Sequence, residues 1–187
     1  MAKKPLPTPD ELRQLLRYEP ETGKLFWKDR TPDMFRDGAH RAAWVCKRWN
    51  TKYAGREAFT TDNCNGYKIG GIENKSYLAH RVIWAMTSGK WPEADIDHIN
   101  GDRRDNRLIN LREVSRSENL RNMRRLDTNT SGRTGVYRDR AREKWMAYIQ
   151  NDGKLVNLGR FDAFEDAVKA REQAEMRFGY HPNHGRG

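Results

Sequence analysis

Four polar residues stand at intervals that suit hydrolytic chemistry: Asp97 and His98 side by side, Asn110 twelve positions after the histidine, and Asn119 nine further on. Breaking a phosphodiester takes a nucleophilic water, a base for its proton and positive charge on the leaving oxygen. An imidazole that titrates near neutrality suits the base, which assigns that role to His98. The Asp97 carboxylate and the Asn119 amide oxygen make a hard-oxygen pair for one Mg²⁺ or Mn²⁺ ion, with phosphate and water completing its shell. Asn110 then ties the intervening loop across and orients His98. Taken singly, each residue has a bland reading. Asp-His in a turn-rich stretch is usually surface, Asn119 an exposed helix position and Asn110 a turn former. The joint spacing carries the chemical reading.

These groups need elements that bring them together. Ala94 to Ile99 predict a strand, Asn100-Gly101-Asp102 a turn, the polar stretch to Asn106 a loop, and Asn110 to Val114 a second strand. Ser115-Arg116-Ser117-Glu118 reads as a capping box that opens a helix running to about Arg125. Neighbours on a strand point to opposite faces, so Asp97 and His98 share a site only if the strand bends, as strands near active sites often do. Tyr77 to Ser88 predict a preceding helix, with Leu78, Val82, Ala85 and Met86 apolar on one side and Gly89 at its end.

The segment 75–125, with His80-Arg81-Val82-Ile83-Trp84 at its head, resembles the HNH nuclease motif, the ββα-metal fold, in the variant whose last His is Asn. It is most similar to the HNH endonucleases of phages, homing endonucleases among them. The resemblance implies a metal carboxylate at Asp97, a general base at His98, the central Asn at Asn110 and the last metal ligand at Asn119. Asn in that last position implies a harder site that prefers Mg²⁺ or Mn²⁺ to zinc. His80, near a helix N-terminus beside Arg81, reads equally as a group that assists the site or touches phosphate and as a packed histidine. Asn122, three residues past Asn119, is a weaker candidate for metal or DNA contact.

The bulk numbers agree with a polyanion as partner. The chain has 187 residues, 36% hydrophobic and 33% charged, with a net charge of +10. That balance favours several small modules and nucleic acid over one large core, although a solvated basic surface would share it. Six Trp and seven Tyr point to cores built on aromatics. Cys46 and Cys64 form no Cys-x-x-Cys, so no structural zinc is expected. No apolar leader and no membrane-length run occur, so the expected location is the cytoplasm of an infected bacterium, with no membrane partner. From Arg103 to Lys144 there are 13 Arg or Lys against six Asp or Glu. Arg116, Arg121, Arg124 and Arg125 line the motif helix or its end, where phosphate contacts are natural.

Beyond a polar linker at 127–132, three strands are predicted at Gly135–Asp139, Lys144–Gln150 and Lys154–Phe161, then a helix at about 163–178. Asn151-Asp152-Gly153 is a hairpin turn. Gly135-Val136, Trp145-x-Ala147-x-Ile149, Leu158-Gly159-Arg160-Phe161, Ala167 and Ala170 resemble the AP2 DNA-binding domain. This chain is about one residue longer than the plant pattern between Val136 and Trp145. The resemblance implies that the exposed sheet face, with Met146, Tyr148 and Gln150 outward, enters the major groove. Its candidate contacts are Arg138, Arg140, Tyr148, Gln150 and Arg160.

The N-terminal 74 residues say least. Thr8-Pro9-Asp10-Glu11 opens a helix over 8–18, Glu19 to Gly23 is a turn and Lys24 to Lys28 a strand. Ala42 to Cys46 fits helix or strand; Lys52 to Thr60 and Gly66 to Ile72 read as strands. The expected architecture is α+β and multi-modular. An N-terminal α/β region (1–74) braces or extends an HNH nuclease core (75–126), followed by an AP2-like three-stranded sheet with a helix (133–180) and a tail (181–187). The expected function is metal-dependent, homing-type hydrolysis of double-stranded DNA. The main alternative is a non-catalytic DNA-binding protein or regulator with a degenerate motif. An RNA-binding module is weaker, because the aromatic stacking signature is missing.

Overall fold

The structure, a computed structural model, describes residues 5–123, 125, 128–182, 184 and 185, with the side chain of residue 117 left aside. Contacts divide it into two compact units, 1–113 and 114–187.

The first unit opens with α1 (Pro9–Leu15). The Thr8 hydroxyl accepts from the Glu11 N–H at 3.2 Å and the Glu11 carboxylate accepts from the Thr8 N–H at 2.6 Å, a capping box followed by an N1 proline. The helix is shorter than the 8–18 expected. Leu16–Glu19 forms β1, which pairs antiparallel with β2 (Lys24–Trp27). The turn between them folds the chain back on itself, and ladder pairing overrides the helical spacing of Leu12, Leu15 and Leu16. The ambiguous stretch after residue 40 is helical, α2 (Ala42–Tyr53). It absorbs Lys52 and Tyr53, so the strand expected over 52–60 shrinks to β3 (Glu57–Ala58), added to β2. A second antiparallel sheet runs β4 (Thr61–Asp62), β5 (Lys68–Ile72), β6 (Lys75–Leu78). Because β6 takes Tyr77 and Leu78, α3 (Ala79–Ser88) starts two residues later than predicted. Gly89, at φ +78°, closes it in the left-handed conformation that glycine adopts without strain. The motif strands follow as β7 (Asp95–His98) and β8 (Leu111–Val114). Asn110 ends a 3-10 turn, Leu108–Asn110, and so precedes β8 instead of starting it.

One core joins these elements. Leu12, Leu16, Leu25, Ile72, Val82, Ile83, Ile96 and Leu111 belong to a single buried cluster edged by Tyr18, Trp27, Tyr77, Trp84 and Trp91. Full burial of Val82 and Ile83 contributes about 1.5–3 kcal/mol each. The cluster runs through residue 74, so the N-terminal residues and the motif strands share their apolar support.

The second unit begins with α4 (Arg116–Arg121), opened by a capping box in which the Ser115 N–H donates to Glu118 at 2.9 Å. It stops four residues short of the Arg125 expected, where the Asn122 N–H bonds the carbonyls of Asn119 and Leu120. Strands β9 (Val136–Asp139), β10 (Lys144–Asn151) and β11 (Lys154–Phe161) form an antiparallel sheet with β10 central. Asp152 and Gly153, at φ +48° and +78°, make the tight turn between β10 and β11. Helix α5 (Phe164–Arg177) covers one face, with Val136, Ala147 and Ala167 buried among Trp145, Leu158, Phe161 and Phe164. Small antiparallel sheets with separate helices make an α+β architecture. Among the described residues no helix is long and apolar enough to cross a membrane.

Candidate active site

Asp97 and His98 both lie on β7 and both are buried, at 7% and 3% exposure. The strand ends at His98, whose carbonyl accepts from the Gly101 N–H at 2.8 Å. Two side chains fix where β7 starts. Arg81, on α3, donates to the carbonyls of Pro92 (2.9 Å) and Ala94 (3.1 Å). The Glu113 carboxylate accepts from the Glu93 and Ala94 N–H groups at 2.6 and 2.9 Å.

Asn110 ties the loop across with both ends of its amide. Its Oδ1 accepts from the Asn100 N–H at 2.9 Å and its Nδ2 donates to the Asp105 carbonyl at 2.8 Å. The contact to the His98 ring comes from Asn106, in the loop that Asn110 ties. His98 Nε2 lies 3.0 Å from Asn106 Oδ1, and Asn106 Nδ2 donates to the Arg104 carbonyl at 3.3 Å. With the amide nitrogen so engaged, the oxygen accepts, Nε2 carries the proton, and the neutral ring keeps its lone pair on Nδ1. The signal available in sequence was only its place beside Asp105, eight residues after His98.

Asn106 is itself held from the N-terminal region. The Tyr18 hydroxyl donates to its carbonyl at 3.2 Å and accepts from the Leu108 N–H at 2.8 Å. Gly23, at φ +72°, sits so close that a Cβ there would lie 2.5 Å from the Arg107 nitrogen and 2.6 Å from the Asn106 carbonyl carbon. Only glycine satisfies both the turn and the approach.

His80 is buried, at 4% exposure. Its ring meets that of His98 edge-on at 5.1 Å, and Tyr67 contacts both, at 5.1 and 5.8 Å. Burial first, then His98 and Arg81, pull its pKa down to about 3, so it stays neutral. Burial also lowers the pKa of His98, opposed by the Asn106 bond and by the carboxylates of Asp97, Asp102 and Asp105.

Arg112, on β8, donates from two nitrogens to Asp97 Oδ2, at 3.0 and 2.8 Å. A cation at Asp97 would share or displace this guanidinium. Among the described residues no three His, Cys, Asp or Glu cluster as metal ligands. The buried Asp97 carboxylate is a hard-oxygen group that suits a cation keeping most of its shell as water and phosphate, the habit of Mg²⁺. Asn119 lies on α4 in the second unit and is half-buried; Asn122, the C-cap of that helix, is buried.

Of the arginines expected to grip DNA, Arg116 is exposed. Arg121 pairs with Asp152 at 2.9 Å, and Arg125 donates to the Gly132 carbonyl at 2.6 Å. Arg124 falls outside the described residues. Arg140, in the turn after β9, is exposed, as are Gln150 and Arg160 on the sheet, and Tyr148 is half-buried. Strand register bears on Arg138 and Met146. Arg138 pairs in register with Trp145 and stacks over its ring at 5.8 Å, so strand alternation puts it on the α5 side. Tyr137 takes its place on the open face, its ring 5.8 Å from that of Tyr148. Met146 is buried although it faces outward, because it pairs with Tyr137 and lies beside Tyr148 on that face.

Residues 77–121 match the family model of the HNH endonucleases. Over 92 residues the chain is 34% identical to Protein 3.8 of Escherichia phage T7, a match covering 49% of this chain and 76% of that protein. No solved structure matches the chain.

Proposed function

This chain belongs to the family of Protein 3.8 of Escherichia phage T7 and carries an HNH endonuclease domain at 77–121, and from that premise we propose that it is a metal-dependent, homing-type endonuclease for double-stranded DNA. The observation that carries the reading is the support of His98. A neutral imidazole beside a carboxylate is fixed in one tautomer by Asn106, on a loop pinned by Asn110.

In this reading His98 Nδ1 takes the proton of the water that attacks phosphorus. Asn106 keeps Nε2 protonated, so the base acts through one nitrogen. Asp97 and Asn119 would hold a divalent cation, Mg²⁺ or Mn²⁺, which supplies positive charge for the leaving oxygen. Arg112 balances Asp97 and offers a guanidinium to the crowded phosphate. The open face of the second unit's sheet, AP2-like in its sequence pattern, lies against the duplex through Tyr137, Tyr148, Gln150 and Arg160, with Arg140, after β9, and Arg116, on α4, as further phosphate contacts. The reaction would take place in the cytoplasm of an infected bacterium.

A second reading, a DNA-binding protein without catalysis, draws support from two facts. His98 is 3% exposed, and Arg112 already occupies one oxygen of Asp97. Catalysis then requires that DNA or metal entry uncover the imidazole. The test is incubation of the purified chain with phage and host DNA plus Mg²⁺ or Mn²⁺, with the ends mapped. The endonuclease reading expects cleavage that His98→Ala reduces about 10²–10⁴-fold, the usual worth of a general base, with DNA affinity near wild type. No cleavage of either DNA with either metal selects the second reading.

A further inference from the structure

The site above leaves one strongly charged surface unexplained. Residues 38–56 hold Arg41, Lys47, Arg48, Lys52 and Arg56 and no Asp or Glu. All five are exposed. Among the described residues none of them forms an ion pair with a carboxylate. Elsewhere in the first unit the basic side chains are often neutralised: Arg13 by Asp10 (2.6 Å), Lys24 by Glu57 (2.8 Å), Arg104 by Asp62 (2.8 Å), Arg107 by Asp105 (2.6 Å). The uncompensated charge is therefore densest on and beside one element.

That element is α2, and its two faces differ. Cys46, Trp49 and Asn50 point inward. The Cys46 thiol and the Asn50 amide donate to the Arg30 carbonyl at 3.0 and 2.9 Å, and Trp49 meets Trp27 edge-on at 5.6 Å. Helical spacing then sends Trp44, Lys47, Arg48 and Lys52 outward. Trp44 is 45% exposed, with the Arg48 guanidinium 5.3 Å from its ring and the His40 ring 4.2 Å away. A surface anchored on one side and cationic on the other suits a polyanion. Twelve residues of helix extend about 18 Å, near half a turn of B-DNA.

We propose that the outer face of α2 is a second contact for duplex DNA, with Lys47, Arg48 and Lys52 on backbone phosphates and Trp44 packed beside Arg48. The choice of duplex DNA as occupant rests on the endonuclease reading; the charge and exposure do not. Phosphate contacts position the duplex without reading its sequence, so this face would supply affinity and register.

The experiment measures binding of the full chain to a fluorescein-labelled duplex by anisotropy, between 50 and 200 mM salt and with EDTA present to prevent hydrolysis. Each phosphate contact contributes about −0.9 to the slope of log K against log salt. Lys47→Ala/Arg48→Ala/Lys52→Ala is expected to make the slope shallower by about 2–3 and to weaken binding at least about tenfold. Lys47→Arg/Lys52→Arg is expected to bind like wild type. Circular dichroism and melting check the fold. If the triple variant is unfolded, Arg48→Gln and Lys52→Gln singly are expected to lower the slope by about 1 each. An unchanged slope and affinity would overturn the proposal, as would a wild type that ignores duplex DNA or prefers RNA. Plasmid cleavage with Mg²⁺, run in parallel, separates the two readings. Loss of slope in a chain that cuts nothing keeps this surface and removes the nuclease. Cutting with an unchanged slope does the reverse.

Discussion

At the scale of residues, the part of the candidate site that matters most is the part spacing alone could not name. Asp97 and His98 were readable because their spacing to Asn110 and Asn119 marks the four together, where an acid beside an imidazole alone reads as surface. Asn106 was not, because an Asn in a polar loop has many ordinary uses, and its value depends on where the loop folds back. The distinction has a kinetic consequence. Asn106→Ala removes the acceptor that keeps Nε2 protonated, so the ring divides between tautomers and orientations. Cleavage is expected to fall about 10²-fold, mostly in kcat, as when a supporting partner of a catalytic histidine is lost. Asn106→Asp, which keeps an acceptor at the same reach, is expected to recover part of it. Nitrogen-15 shifts of the His98 ring give a second readout, with a single Nε2–H tautomer in wild type and a mixture in the alanine variant. A single tautomer in both proteins would mean that Asn106 does not set the base.

Elements explain why that loop stays folded and where the sequence misled. The helix opening at Thr8, the capping box at Ser115 and the Gly89 stop were legible, since each is a local pattern with a local cause. Strand β1 was not, because helical spacing of leucines looks the same whether or not a hairpin follows to claim them. The loop from Asn100 to Arg107 has no regular structure, and charge fastens it. Asp105 receives both the Nε (2.7 Å) and the terminal nitrogen (2.6 Å) of Arg107, and the Asn100 amide at 2.9 Å. The Arg107 bond, with smaller help from Asn100, holds the Asp105 pKa at about 2. The folded pKa lies below the unfolded value of 3.8, so its stabilisation is complete above that value and is lost as pH falls from about 4 towards about 2. Urea midpoints followed by tryptophan fluorescence are expected to show Asp105→Asn below wild type at pH 6, with the gap closing as pH approaches 2.5. A gap independent of pH would show that the pair does not fasten the loop.

For the whole molecule, a net charge of +10 announced a polyanion but could not say which charges meet it. Many are already spent inside the protein, as Arg121 is on Asp152 and Arg125 on the Gly132 carbonyl. In the second unit the decision turns on strand parity. The sequence fits an open sheet face, and pairing decides which side chains lie on it, putting Arg138 with Trp145 and Arg160 with Met146. Both arginines are exposed, so they make a controlled comparison. If the open face lies on the duplex, Arg160→Ala should reduce the salt slope of binding by about 1 and Arg138→Ala should leave it unchanged. Tyr148→Ala should weaken binding without altering that slope, because a ring releases no counterions. Equal losses from Arg138→Ala and Arg160→Ala would mean that net charge, and not the face, holds the DNA; the AP2-like reading of this unit would then have no support from binding.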